Sequence, residues 1–244
     1  MDKKKRAGIY RIFEVLKRVK KLWKKDINVY FISGMCYNCS VFDKIVLPEG
    51  YKKKYIEWYV PIPGQSLQEY VFVMAKEIDT SRPYILIGYS FGGVIVQVMS
   101  YFLSPIKTVL ISSFKRDEEI PILFRAAKRT NVADRIPMRV YASTELITDL
   151  FNRFVYNVPT SELAEVMTFV DPVYIKWAIE QIVGWMPENK CKHLYRIHGT
   201  EDQIFSYEHI RNAFPVEGGD HLMVVKKADA ISTILSGILL IKEN

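Results

Sequence analysis

The chain has 244 residues, 49% of them hydrophobic, with a net charge of +7. That supports one large core and excludes a disordered chain, while no stretch reaches the ~20 consecutive apolar residues of a membrane span. The charge is local: residues 1–26 hold 11 Lys and Arg against Asp2, Glu14 and Asp26, so that segment carries +8 and the rest −1. No basic stripe crosses the body, which excludes a nucleic-acid-binding core. The three cysteines, Cys36, Cys39 and Cys191, are too few and odd in number for a disulfide framework, and a cytoplasmic location is expected.

Within the basic segment Ile9, Ile12, Phe13, Leu16, Val19 and Trp23 recur at three- and four-residue spacing, with Arg11, Lys17, Arg18, Lys20 and Lys21 on the other faces. This predicts a cationic amphipathic helix over residues 9–23. Two roles are open to it: packing against the domain or another subunit, or peripheral contact with the inner membrane surface. It has no uninterrupted apolar core of the secretory kind and is expected to stay in the mature chain.

The first strand is expected over Asn28–Ser33, ending at Gly34, and the second over Lys54–Val60, followed by the turn Pro61-Ile62-Pro63-Gly64. Ser66 with Glu69 forms a capping box for a helix reaching Ile78. Tyr84–Ile87 is a buried strand, and a helix follows to about Leu103. Thr108–Ser112, Leu194–Ile197 and Ala213–Val216 are further strands, and Ala230–Ile241 is a last helix. Strands alternating with helices predict an α/β fold with a mostly parallel, roughly six-stranded sheet. Between Phe114 and Lys190 the alternation stops and large apolar residues such as Phe151, Phe154, Tyr156, Tyr174, Trp177 and Trp185 accumulate. That places a helical cap at 115–190 over the strand ends, with the core formed by 27–114 and 191–244.

The segment Gly88-Tyr89-Ser90-Phe91-Gly92 lies between strand and helix. A serine projected from so sharp a turn needs neighbours without side chains, which Gly88 and Gly92 supply. Chance would give about 0.1 such patterns in a chain of this length and average composition, so Ser90 is the candidate nucleophile. A serine hydroxyl needs a base to take its proton and an acid to fix the base's tautomer. Of the four histidines, His193 starts a strand, His209 falls in an expected helix after Ser206, and His198 ends a strand. His221 follows Glu217-Gly218-Gly219-Asp220 in a loop beyond the last strand and suits the base. Asp202, in His198-Gly199-Thr200-Glu201-Asp202, suits the acid; Glu201 is the neighbour most easily confused with it, and Asp220 fits a solvated loop carboxylate. An oxyanion needs two backbone N–H donors, expected from Phe91 and from Met35 in the loop Ser33-Gly34-Met35.

These residues carry a resemblance: Gly88-Tyr89-Ser90-Phe91-Gly92-Gly93, His198-Gly199-Thr200-Glu201-Asp202 and Gly218-Gly219-Asp220-His221 resemble the motifs of the α/β-hydrolases, specifically compact bacterial members with a helical cap. The likeness runs from about Asn28 to the end. It implies Ser90 as nucleophile, Asp202 as acid, His221 as base, no metal or organic cofactor, and a small, partly apolar ester or thioester as substrate. The sequence departs from the family in its oxyanion loop, Ser-Gly in place of His-Gly, and in leaving no room before Asn28 for a leading antiparallel hairpin. Carbon–carbon hydrolysis, lyase and acyl-transfer chemistry run on the same fold, and a non-catalytic membrane scaffold is a further alternative. Cys36-Tyr37-Asn38-Cys39 raises a redox alternative, since C-x-x-C at a strand-to-helix junction is where thioredoxin-like pairs sit. Packing residues beside the oxyanion loop are the simpler explanation.

Overall fold

The computed structural model describes residues 26–130, 135–143, 145–146, 167–188 and 190–242. The amphipathic helix expected over residues 9–23 lies outside them, as does much of the expected cap. Six strands form one sheet: β1 (Ile27–Ile32), β2 (Tyr51–Tyr55), β3 (Tyr84–Tyr89), β4 (Lys107–Ile111), β5 (Leu194–Gly199) and β6 (Phe214–Val216). Their order is β2-β1-β3-β4-β5-β6, and every neighbouring pair is parallel. The fold class expected from the sequence is the one observed.

Parallel strands covered by helices on both faces read as continuous apolar runs. In β3 and β4 every residue is buried. The chain runs from β1 outward to the edge strand β2 and returns to pair β3 on the other side of β1. That reversal opens a crevice at the carboxyl ends of β1 and β3, where open α/β sheets bind ligands.

Helix α1 (Leu67–Met74) starts at the Ser66–Glu69 capping box. It passes into a 3-10 turn over Ala75–Glu77, short of the unbroken helix expected to Ile78. Helix α2 (Phe91–Met99) is buried along its whole length and ends at Met99, four residues earlier than about Leu103. After the short α6 (Met223–Lys226), the last helix, α7 (Ala228–Leu240), buries Ile231, Leu235, Ile238 and Leu239.

The second strand is a correction. It spans Tyr51–Tyr55 with the sequence Tyr-Lys-Lys-Lys-Tyr, where Lys54–Val60 was expected. As an edge strand it needs only half-buried side chains, and lysines on an edge discourage pairing with other chains. The apolar Ile56 and Trp58 are buried, but in the loop beyond the strand.

Between β4 and β5 lie α3 (Ile122–Thr130), α4 (Met138–Tyr141) and α5 (Pro172–Gly184). Asp171 caps α5, accepting from the N–H groups of Val173 at 2.8 Å and Tyr174 at 3.0 Å. Among the described residues the insertion meets the core at several points. Tyr37 and Met167 form an antiparallel bridge, Thr168 and Phe169 donate their N–H groups to the Cys36 carbonyl, and Trp177 Nε1 donates to Gln65 O at 2.7 Å. Where the insertion leaves the sheet, buried Glu119 holds buried Arg196 of β5 through two contacts of 2.7 and 2.8 Å.

Candidate active site

Ser90 sits between β3 and α2 at φ 52°, ψ −117°, a backbone conformation strained for any residue with a side chain. The strain is held by crowding. A Cβ on Gly88 would lie 2.2 Å from Gly92 O, and one on Gly92 would lie 2.3 Å from Ile32 O. Only glycine lets β3, α2 and the end of β1 converge so closely. The Ser90 N–H donates to Ile111 O at 2.9 Å, and the Ser113 hydroxyl donates to Ser90 O at 2.8 Å. Ser90 itself is half-exposed.

Asp202 comes to the site from the loop after β5 and His221 from the loop after β6. His221 Nε2 is 2.9 Å from Ser90 Oγ, and His221 Nδ1 is 2.9 Å from Asp202 Oδ2. A carboxylate can only accept, so Nδ1 carries the proton and Nε2 is left free to accept from the serine. The Tyr89 hydroxyl donates to His221 O at 2.9 Å, and the rings of Tyr89 and Phe205 flank the imidazole at 5.5 and 5.6 Å.

Asp202 is fully buried and held on every side. Its Oδ1 accepts from the N–H groups of Ile204 at 2.9 Å and Phe205 at 3.1 Å. Burial by itself opposes ionisation, but His221 and the hydrogen bonds around the carboxyl outweigh it and hold the group well below the usual carboxylate range. The neighbouring carboxylates are placed differently: Glu201 is exposed, and Asp220 pairs with Lys226 at 2.7 Å. His193 and His209 are exposed and away from Ser90, with His209 in a 3-10 turn in place of the expected helix.

The loop after β1 lies against the elbow: a Cβ on Gly34 would be 3.3 Å from Ser90 Cβ. Met35 follows, in the turn closed by the bond from Tyr37 N–H to Gly34 O. Phe91 is the first residue of α2, so its N–H has no acceptor within the helix. Ser33, a departure noted in the sequence, donates to Tyr37 O at 2.6 Å and accepts from Trp58 Nε1 at 2.9 Å, which ties the loop to the segment after β2. Above it Trp58 stacks on Phe91 at 5.5 Å, and Tyr174 of α5 lies 5.4 Å from Trp58.

Cys36 and Cys39 are free thiols and both are buried. The Cys39 Sγ faces Phe31 O and Ile56 O at 3.5 Å. Burial pushes both thiols up, that of Cys39 to about 12, the reverse of what a redox pair needs. Among the described residues no group of three or more His, Cys, Asp or Glu side chains could hold a metal ion, and no helix is long and apolar enough to cross a membrane.

Three participants were not assigned from the sequence: Ser113, Tyr89 and His198. His198 reads in the sequence as a strand end that opens the motif leading to Asp202, with no role of its own, yet its Nε2 lies 3.3 Å from Asp202 Oδ2. Ser113 and Tyr89 act from β4 and β3 on residues far along the chain, and only the pairing of the strands brings them there.

No known family model matches the chain. A curated relative, the nonribosomal peptide synthetase agiA of Aspergillus flavus, is 25% identical over 190 residues, 68% of this chain; the match spans only 2% of that protein's length. Among solved structures, a lipase-esterase related protein from Clostridium acetobutylicum aligns over 88% of this chain and 95% of its own, with TM-score 0.61 and 17% identity. A thermophilic esterase from Thermogutta terrifontis aligns over 87% and 89%, with TM-score 0.61 and 14% identity. ClbQ from the colibactin NRPS/PKS pathway aligns over 88% and 97%, with TM-score 0.61 and 12% identity. With six parallel strands in this order and with these likenesses, the chain has the α/β-hydrolase fold.

Proposed function

We propose that the protein is a serine hydrolase that cleaves a carboxylic ester or thioester through an acyl-Ser90 intermediate. The observation that carries this reading is the continuous path from Ser90 Oγ through His221 to Asp202, with both links at 2.9 Å. A binding module has no use for a strained serine in contact with a buried, correctly protonated histidine.

The chemistry follows from that path. Ser90 Oγ attacks the carbonyl carbon while His221 Nε2 takes its proton, and the carbonyl oxygen becomes an oxyanion. Phe91 N–H and Met35 N–H are the donors that stabilise it. The imidazolium then gives its proton to the departing alkoxide or thiolate, and the C–O or C–S bond breaks to leave acyl-Ser90. In the second half His221 deprotonates a water that attacks the acyl carbon, and the proton returns to Ser90 Oγ as the acid leaves. Asp202 stays ionised throughout, keeping the Nδ1–H tautomer and stabilising the imidazolium.

The helices of 115–190 are the cap in this reading. Tyr174 and Trp177 of α5 pack with Trp58, Tyr70 and Phe91, an aromatic wall suited to a partly apolar acyl or alcohol group. The likenesses to a nonribosomal peptide synthetase and to ClbQ of an NRPS/PKS pathway put thioesters beside oxygen esters in the test. That test is a panel of p-nitrophenyl esters from acetate to laurate and matched acyl thioesters, with Ser90→Ala as background. Turnover that vanishes in the variant supports the reading, and the preferred chain length reports the pocket. Equal inertness of both proteins on the whole panel moves lyase and acyl-transfer chemistry ahead.

A further inference from the structure

Asp202 has two histidines on it. His221 Nδ1 and His198 Nε2 approach the same oxygen, Oδ2, at 2.9 and 3.3 Å, and both rings and the carboxylate are almost completely buried. His198 Nε2 also lies 2.7 Å from Phe205 O. A carbonyl oxygen only accepts, so this nitrogen carries a proton. The N–H that serves Phe205 O therefore also turns the positive end of its dipole toward Asp202. Phe205 in turn donates its own N–H to Asp202 Oδ1.

We propose that His198 is a positioning residue for the acid–base pair: it fixes the Asp202 carboxylate directly and through the Phe205 peptide, and it draws off part of the negative charge that His221 would otherwise feel. This rests on the reading of Asp202 and His221 as acid and base. The groups facing His221 are Asp202 and His198 from the β5 end, Ser90 and the Tyr89 phenol from the β3 end, and Asp220 in its own loop, held by Lys226. Beside His198 itself stands the Tyr207 ring, at 6.4 Å.

The discriminating variants are His198→Phe, which removes the N–H, and His198→Gln, whose amide returns a donor near the same place. Two readouts separate positioning from simple packing: the pH profile of kcat/KM, and the downfield proton NMR resonance of His221 Nδ1–H, assigned by its loss in His221→Gln. With the competing donor gone, Asp202 draws more strongly on His221. In His198→Phe the acidic limb of kcat/KM should move up by about half a pH unit and the resonance should move further downfield, while His198→Gln keeps wild-type values for both. An unmoved limb and resonance in His198→Phe, or equal movement in both variants, overturns the proposal. If the protein turns over no ester or thioester, the resonance alone decides, which separates failure of this proposal from failure of the hydrolase reading. If neither variant folds, Asp202→Asn decides: the His198 ring N–H resonance must move along with that of His221, and an unchanged His198 resonance overturns the proposal.

Discussion

The Ser113 hydroxyl holds the carbonyl of Ser90 at 2.8 Å, so a residue from the end of β4 fixes the one peptide whose strain the candidate chemistry depends on. Removing that hydroxyl frees the carbonyl without touching substrate. Ser113→Ala should lose about 1 kcal/mol of stability and several-fold in kcat, with KM nearly unchanged. Steady-state kinetics beside urea unfolding checks this, and an altered KM at constant kcat would speak against it.

Gly92 faces the carbonyl oxygens of the last residue of β1 and of the residue after it. A methyl group placed there would lie 2.3 Å from Ile32 O and 2.4 Å from Ser33 O, distances no side-chain rearrangement can relieve because the neighbours are backbone. Gly92→Ala is expected to cost about 3 kcal/mol or more, read as a lowered thermal midpoint. An alanine variant as stable as the parent would show that elbow and strand are not packed this closely.

How much of this was legible in the sequence depends on whether a residue's neighbours were local. The elbow was, because a strand, a Gly-flanked serine and a helix are consecutive in the chain. Asp202 and His221 were legible from chain order and loop position. The second strand is expected too far along because apolar content is the usual strand signal, whereas Tyr51–Tyr55 is a lysine-rich edge and the apolar Ile56 and Trp58 serve the loop. The roles of Ser113 and Tyr89 are not legible, since each acts across strands whose order is fixed only by folding; His198 is local to Asp202, four residues on, but the pattern does not show which way its ring turns at the end of β5.

The carboxyl of Asp202 is held below its usual range in the folded protein, so it adds stability wherever it is ionised. That contribution is complete above the unfolded-state value of about 4 and is lost as pH falls through the lower folded-state value. Asp202→Asn should therefore differ most from the parent in unfolding free energy at pH 5 and above, with the gap narrowing toward pH 2. At pH 7 the same variant should keep its fold while kcat drops by about 10⁴-fold, because the amide can hold the wrong imidazole tautomer. A constant stability gap over the whole range contradicts the account of the carboxylate.

Glu119 and Arg196 form a buried pair at the root of the inserted helices, and Glu119 Oε2 also accepts from the Lys115 N–H at 2.8 Å. Glu119→Gln leaves the guanidinium without its counter-charge and should cost about 3 kcal/mol. Replacing both residues by Leu and Met should recover much of that loss. Chemical denaturation of the single and double variants decides, and a single variant with parental stability would deny the pair its anchoring role.

Both thiols of the Cys36–Cys39 pair are buried and pushed up. Neither should react with a thiol-specific disulfide reagent at pH 8 until the protein is unfolded, and a mild oxidant should not change the free-thiol count of the native protein. Rapid loss of both thiols in the folded state would restore a redox role.

The central claim is that Ser90 is an activated nucleophile, and an active-site-directed fluorophosphonate tests it with no knowledge of the substrate. The account predicts a single covalent adduct by intact mass, mapped to Ser90, absent in Ser90→Ala and formed far more slowly in His221→Gln. A wild-type protein that stays unmodified under conditions that label an active serine esterase, or an adduct that persists in Ser90→Ala, would contradict it.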